Sequence, residues 1–314
     1  MSQTRRFAAI DIGTNTILLL IAEIVGKDSF KALEDQAVMT RLGEGVDRNG
    51  LLSEAGQRRS LEVLRSYLSR CRRLRVEEVV VIGTSALRDA ANAAEFRALV
   101  KRELKWDLRI LSGEEEAGYS YLAVQRGSQS QTSEMLVIDV GGGSTELIWG
   151  RAGRLHRWTS LQMGGVRLTE RFLPSDPVQE EEFARLTKTI DDELQATLGD
   201  WVRGPTFGLT VGIAGTFTTL AAIEKGLRRY SHSEVHGSFL SRATVQRQIA
   251  LFKSKTVAER KKIPGLEPKR ADVILAGALL IDRIMDLFRL ERILVSDQGI
   301  RYGLLYERLG REHG

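Results

Sequence analysis

The sequence has one cysteine, Cys71, in 314 residues. A single thiol excludes an intramolecular disulfide and fits a reducing compartment, where a small buried residue is the expected role rather than a reactive nucleophile. Membrane-length apolar runs are also missing. The apolar segment Ile17 to Ile24 is too short to span a bilayer and carries Glu23. The opening MSQTRRF runs into a strand-like segment without a signal-peptide core. A cytoplasmic protein with no membrane partner is expected. The net charge is +5 and the pI about 9.4, yet 41 acidic residues are interspersed among 46 basic ones and no block of five like charges occurs. That pattern excludes a simple nucleic-acid binder and favours a local anion site, for which arginine, the more abundant base here, offers bidentate phosphate contacts. The four histidines, 156, 232, 236 and 313, show no recognised metal-ligand spacing, and no Ser/His/Asp or Cys/His arrangement is apparent, so they are assigned no chemistry. Low-complexity tracts and heptad runs are absent.

What is present is alternation. At 42% hydrophobic the chain can bury two medium cores. FAAI, DIGTNT and ILLLIAEIV read as strand, tight turn and strand. Leu61, Leu64, Leu68 and Cys71 then recur at helical spacing with arginines around them, an amphipathic helix with a solvated basic face. VEEVVVIGTSALRDAAN and DLRILSGEEEAGYSYLAVQ each read as strand, turn and helix, as do GLTVGIAGTFTTLAAIEKG and RILVSDQGIRYGLLYERLG. This is an α/β pattern. The small polar stretch Gly127 to Glu134 reads as a linker, giving domains at 1–129 and 130–299, with a last helix at 300–314 packing back on the first. Directly after the linker, Ile138-Asp139-Val140-Gly141 to Ser144 matches Ile10-Asp11-Ile12-Gly13 to Thr16. A repeat at this scale predicts two related halves with a cleft between them.

Glycines and small hydroxyl residues between two strands allow positive φ and close approach of backbone N–H groups to an anion. Each turn also opens with an aspartate at a strand end, from which a carboxylate can hold a hydrated Mg²⁺ against phosphate oxygens. One such turn is ordinarily just a hairpin, whereas two matched copies and a Gly-x-x-Gly-Thr turn point to phosphate. Glu114, Glu115 and Glu116 follow a strand and open a helix, and Ser112 with Glu115 has the capping-box spacing.

The chain resembles the exopolyphosphatase and guanosine-pentaphosphate phosphatase family of the actin-like superfamily. The resemblance rests on AIDIGTNT at 9–16, VIGTSALRDAAN at 81–92, ILSGEEEAGYSYLAV at 110–124, VIDVGGGSTEL at 137–147, MGGVRLTE at 163–170, GIAGTFTTLAA at 212–222 and SDQGIRYGLL at 296–305. It implies two actin-like, ribonuclease H-like α/β domains with an interdomain active-site cleft. It further implies a metal, Mg²⁺ or alternatively Mn²⁺, held by Asp11, Asp139 and Glu146. The implied phosphate-binding residues are Gly13, Thr14, Asn15, Gly141, Gly142, Gly143, Ser144, Thr145, Arg167, Gly215, Thr216 and Arg301. By the same resemblance, Glu116 deprotonates the attacking water, Arg88 lies nearest the reacting phosphate, and Glu115 keeps the cap. Leu18 stands where the second copy has Glu146, so the second loop is expected to carry more of the metal.

The implied substrate is inorganic polyphosphate or, alternatively, guanosine pentaphosphate. Competing readings of other classes are an ATP- or ADP-linked phosphotransferase and a catalytically silent nucleotide-binding regulator or filament subunit. Longer members carry a C-terminal helical region with a His-Asp motif that this sequence lacks, so a short form with poorer processivity on long polymers is expected. A homodimer is allowed but not specified.

Overall fold

Strand β1 (Arg5–Ile12) sends Phe7 and Ala9 into one apolar cluster and Ala8, Ile10 and Ile12 into another, so its sheet is covered on both faces. The computed structural model describes residues 5–26, 29–128, 132, 134–202, 204 and 206–311. The chain divides into two units, Met1–Gly127 with Gln298–Gly314, and Ser128–Asp297. Of the expected linker, residues 129–131 and 133 lie outside the described residues, as does the end of the last helix at 312–314.

In unit 1, β1 is followed by β2 (Thr16–Ile24), β3 (Phe30–Met39), β4 (Glu78–Gly83) and β5 (Leu108–Ile110), in the sheet order β3-β2-β1-β4-β5. β1, β2 and β3 form an antiparallel meander, while β4 and β5 run parallel to β1. One face is covered by the helices Glu54–Arg73 and Ala93–Leu104, through Leu61, Leu64, Tyr67, Phe96 and Val100. The spacing that predicted the first of these helices places Cys71 on its buried side. Burial pushes that thiol up to about 11, which suits packing and not nucleophilic chemistry. The other face is covered by Ala123 of the helix Gly113–Ser128 and by Ile300, Tyr302, Leu304 and Leu305 of the helix Ile300–Arg311.

Unit 2 repeats the plan with additions. Its strands are β6 (Glu134–Val140), β7 (Thr145–Arg151), β8 (Arg154–Leu161), β9 (Leu209–Ile213), β10 (Phe239–Ser241) and β11 (Arg292–Val295). The order β8-β7-β6-β9-β11 matches that of unit 1, and β10 adds an antiparallel edge. The helix Ile274–Leu287 is buried almost all round, in keeping with its apolar run Ile274 to Ile281, and its charged residues Asp282, Arg283 and Asp286 are held in ion pairs. It shares a core with Leu136, Ile138 and Leu147 of the sheet and with Leu186, Ile190 and Leu194 of the helix Glu180–Leu198. No helix among the described residues is long and apolar enough to cross a membrane.

Candidate active site

The two glycine turns share one backbone construction. In unit 1 the Gly13 amide donates to the Thr16 carbonyl at 3.0 Å, and in unit 2 the Gly141 amide donates to the Ser144 carbonyl at the same distance. A Cβ on either glycine would stand 3.1 Å from that carbonyl oxygen, a tight contact that the turn would have to give way to accommodate. Cross-strand register agrees as well: Asp11 pairs with Leu18, and Asp139 with Glu146.

Each turn has its carbonyls engaged from behind. In unit 1 the Asn15 carbonyl accepts the amides of Thr40 and Arg41, and the Thr14 carbonyl accepts that of Gly43 at 2.8 Å. In unit 2 the Gly141 carbonyl accepts the Gly165 amide, and the Gly142 carbonyl accepts those of Val166 and Arg167. The Arg167 Nε adds a bond to the Gly143 carbonyl at 2.8 Å. Among the described residues no backbone carbonyl takes the amides of Thr14, Asn15, Gly142 or Gly143 in turn. A loop with occupied carbonyls and available N–H groups presents positive potential, the property that makes such a turn a cradle for anions.

Close approach of the bracing segments depends on two further glycines. A Cβ on Gly164 would meet the Gly142 carbonyl carbon and oxygen at 2.5 Å, and one on Gly43 would meet the Thr14 Cγ2 at 2.5 Å. The sequence reading passed over the brace Thr40–Gly43, whose signal was the Gly-Glu-Gly run at 43–45.

The side chains around the turns are acidic and buried. Asp11, Asp139 and Glu146 are 7%, 8% and 1% exposed. Asp139 and Glu146 sit directly opposite on neighbouring strands, where like charges repel unless a cation or donor lies between them. Ser160, opposite Glu146 on β8, donates to its Oε1 at 2.7 Å and orients it. Two buried oxygens of the turns, Asn15 Oδ1 and Thr145 Oγ1, have no hydrogen-bond partner among the described residues. An amide oxygen can only accept, so the first suits a cation or its water better than a phosphate. Among the described residues no group of three or more His, Cys, Asp or Glu is gathered to hold a metal alone.

Glu116 lies in the first turn of the helix Gly113–Ser128 and is 6% exposed. Ser112 and Glu115 form the reciprocal cap, Glu115 N to Ser112 Oγ at 3.2 Å and Ser112 N to Glu115 Oε2 at 2.8 Å, which leaves Glu116 for another use. Its Oε2 accepts a charge-assisted hydrogen bond from Arg88 Nη1, which also donates to the Leu111 carbonyl at 3.1 Å. Burial raises the Glu116 pKa above the ordinary carboxyl value, and the Arg88 charge and hydrogen bond pull it partly back. Arg88 is on the short helix Ser85–Asp89, not on an exposed surface, and its side chain is 20% exposed.

Other candidates are placed differently. Arg301 is 7% exposed inside unit 1, where it and the Tyr302 hydroxyl both hold Asp35 of β3. Such a pair serves architecture more readily than a passing phosphate. The Thr216 hydroxyl donates to the Val140 carbonyl at 3.3 Å and supports the second turn from beneath. The Gly-x-x-Gly-Thr segment is not an open loop. Its helix Ala214–Glu224 begins at once after β9, with Ala214 at φ 71°, a left-handed conformation that costs an alanine roughly 1–2 kcal/mol. The Arg270 guanidinium lies against Gly215, where a Cβ would stand 2.3 Å from Nη1. Asp11, Thr14, Asn15, Arg88 and Glu116 thus belong to unit 1, and Asp139, Glu146, Arg167 and the second turn to unit 2.

Two sheets of this strand order, each opening on a glycine turn at the end of its first strand, define a mixed α/β protein of the actin-like ATPase fold. The sequence profile of the Ppx/GppA phosphatase family matches residues 20–312. The chain is 30% identical to exopolyphosphatase 2 of Mycobacterium tuberculosis, over 97% of this chain and 99% of that protein. It is 32% identical to the bifunctional 3-dehydroquinate synthase/phosphatase of Fusobacterium nucleatum, over 96% of this chain but only 46% of that longer protein. Among solved structures, the Aquifex aeolicus Ppx/GppA family member superposes with a TM-score of 0.82 at 34% identity, covering 99% of each chain. An exopolyphosphatase from Cytophaga hutchinsonii does so with a TM-score of 0.89 at 29% identity, covering 98% of each. The chain belongs to the Ppx/GppA phosphatase family, and with that membership it is a hydrolase of phosphoric anhydrides.

Proposed function

We propose that the protein is an exopolyphosphatase that removes the terminal phosphate of inorganic polyphosphate, with Glu116 as general base. The observation that carries this reading is the buried Glu116 carboxylate, released from capping by Glu115, held by Arg88 and shifted upward in pKa. A carboxylate of raised pKa accepts a proton more readily than an ordinary one. Arg88 orients that carboxylate. Water oxygen attacks the terminal phosphorus in line, its proton passes to Glu116, and the anhydride P–O bond breaks with its electron pair leaving on the shortened chain. Since phosphoryl transfer is mostly positioning and charge neutralisation, the amides of Thr14, Asn15, Gly142 and Gly143 do much of the remaining work.

Asp139 and Glu146, opposite one another on β6 and β7, would hold Mg²⁺. When bound, the cation supplies charge neutralisation for phosphate oxygens. Arg167, whose Nε is fixed on the Gly143 carbonyl, places a positive charge beside the second turn. A reducing cytoplasm is the setting that the single buried thiol favours.

Polyphosphate is preferred to guanosine pentaphosphate because the relatives named above from Mycobacterium tuberculosis and Cytophaga hutchinsonii bear the exopolyphosphatase name. The deciding experiment is phosphate release from short polyphosphate, long polyphosphate, guanosine pentaphosphate and ATP, each with and without Mg²⁺. Metal-dependent release from polyphosphate is expected to dominate. A higher kcat/KM on guanosine pentaphosphate would reverse the assignment, and transfer of phosphate to ADP in place of release would move the protein to the phosphotransferases.

A further inference from the structure

The segments 110–124 and 296–305, remote in sequence, meet in unit 1 through the helices Gly113–Ser128 and Ile300–Arg311. At the meeting point main chain lies against main chain. A Cβ on Gly303 would stand 2.1 Å from the Tyr119 carbonyl oxygen, 2.7 Å from its carbon and 2.9 Å from the Tyr119 Cα. A helix interior disfavours glycine, so its presence there marks a contact that admits no side chain. Further ties lie along the same two segments. The Tyr119 hydroxyl donates to Glu307 Oε2 at 3.2 Å and accepts from Arg109 Nη2 at 3.0 Å. Ala123 is buried with Ile300, Leu304 and Leu305, and the Tyr306 hydroxyl donates at 3.3 Å to the Gln298 Oε1, which lies against Gly127.

Glu116 rides on the first of these helices. Positions 116, 123 and 127 fall on one stripe of it, so the carboxylate stands at the head of the face on which Ala123 and Gly127 make their contacts. Arg88, in contrast, is fixed on the carbonyl of Leu111, which precedes the helix. The register of the carboxylate–guanidinium pair therefore depends on where the helix is seated.

We infer that Gly303 is a positioning residue: by letting the last helix meet the Tyr119 main chain, it seats the helix Gly113–Ser128 and keeps Glu116 on Arg88. The inference rests on the assignment of Glu116 as general base. A methyl at this position meets main chain and not the end of a flexible side chain, so one helix has to move off the other. Glu116 and Arg88 are already in hydrogen-bond contact, so that movement can only loosen the pair. A shift of about 1 Å far from the chemistry is enough to lower turnover on the order of a hundredfold.

The test is steady-state kinetics across pH, on short polyphosphate with Mg²⁺, for the unaltered full chain, G303A, Glu116→Gln and V100A. Val100 belongs to the core on the other face of the sheet, so V100A loses packing without touching the helix that carries Glu116. G303A is expected to lower kcat about tenfold or more with KM held within about twofold. Because Arg88 lowers the Glu116 pKa, G303A should also carry the acid limb of kcat/KM to higher pH, a movement that V100A should not produce. Should G303A fail to fold, Y119F decides in its place: it removes the hydroxyl shared by Glu307 and Arg109, adds no atom, and should lower kcat about two- to fivefold with the limb displaced in the same direction. Turnover kept by Glu116→Gln removes the base assignment and the inference with it. Turnover lost in Glu116→Gln but kept in G303A, or an equal loss in V100A with the limb unmoved in both, overturns the role of Gly303 alone.

Discussion

The turns Asp11–Thr16 and Asp139–Thr145 are copies in backbone and register, yet their surroundings have diverged. The second has a carboxylate opposite its aspartate, Glu146, where the first has Leu18. The first has, in its own unit, the carboxylate–guanidinium pair of Glu116 and Arg88. On the proposed mechanism, a duplicated scaffold separates two requirements that conflict in one place. Concentrated negative charge suits a metal, while a base of raised pKa needs a dry setting with limited counter-charge.

The largest contrast should appear between Glu116→Gln and Glu146→Gln. The first is expected to lower kcat on the order of a hundredfold or more with KM little changed. The second should lose activity at low Mg²⁺ and regain much of it as Mg²⁺ is raised. Steady-state kinetics across a metal titration separates them, and recovery of Glu116→Gln by metal would erase the division of labour. Next in size is the contrast of braces. G164A forces a methyl into the Gly142 backbone, which cannot yield cheaply, whereas G43A meets a threonine methyl and the Ala86 Cβ. Activity is expected to fall about tenfold or more in G164A and less in G43A, read as kcat/KM on short polyphosphate.

A smaller effect concerns pH. Because the folded-state pKa of Glu116 is raised, the base ionises only as pH climbs past the ordinary carboxyl range, and the acid limb of kcat/KM should lie there. Arg88 lowers that pKa, so R88M should move the limb to still higher pH, and a pH profile that does not move would detach Arg88 from Glu116. The stability sign is the reverse of the usual acidic case. This group's contribution is full below its unfolded pKa and declines as pH rises through the folded value. Smallest is S112A, which removes the cap and should cost about 1 kcal/mol in denaturant unfolding with turnover held within about twofold.

Local features were legible from residues alone. The two turns, the capping role of Ser112 with Glu115, and the helix bearing Cys71 are each specified within a few residues, by glycine chemistry, capping spacing and apolar periodicity. What escaped depends on distant partners. Arg301 read as a candidate phosphate ligand because its partner Asp35 is far away in sequence, on a strand with no clean alternation. The brace at Thr40–Gly43 acts through backbone amides, so its only mark on residue identity is the glycine run at 43–45 that lets it approach the first turn. Arg270 gave no signal because its neighbour is the Gly215 backbone, some 55 residues earlier in the chain. Gly303 lacked a signature because what it meets is the main chain of Tyr119, on a helix far away in sequence.

The division of the chain also has a consequence in time. Unit 2 is continuous, so every residue of it has been made once Asp297 is added, whereas one wall of the unit 1 core, Ile300 to Leu305, is made only afterwards. During synthesis the second unit can therefore mature first, while Phe7, Ala9, Leu20 and Ala22 wait uncovered for a helix not yet made. A nascent chain stopped before residue 300 would hold the whole sequence of the second unit but leave Phe7, Ala9, Leu20 and Ala22 without the helix that covers them.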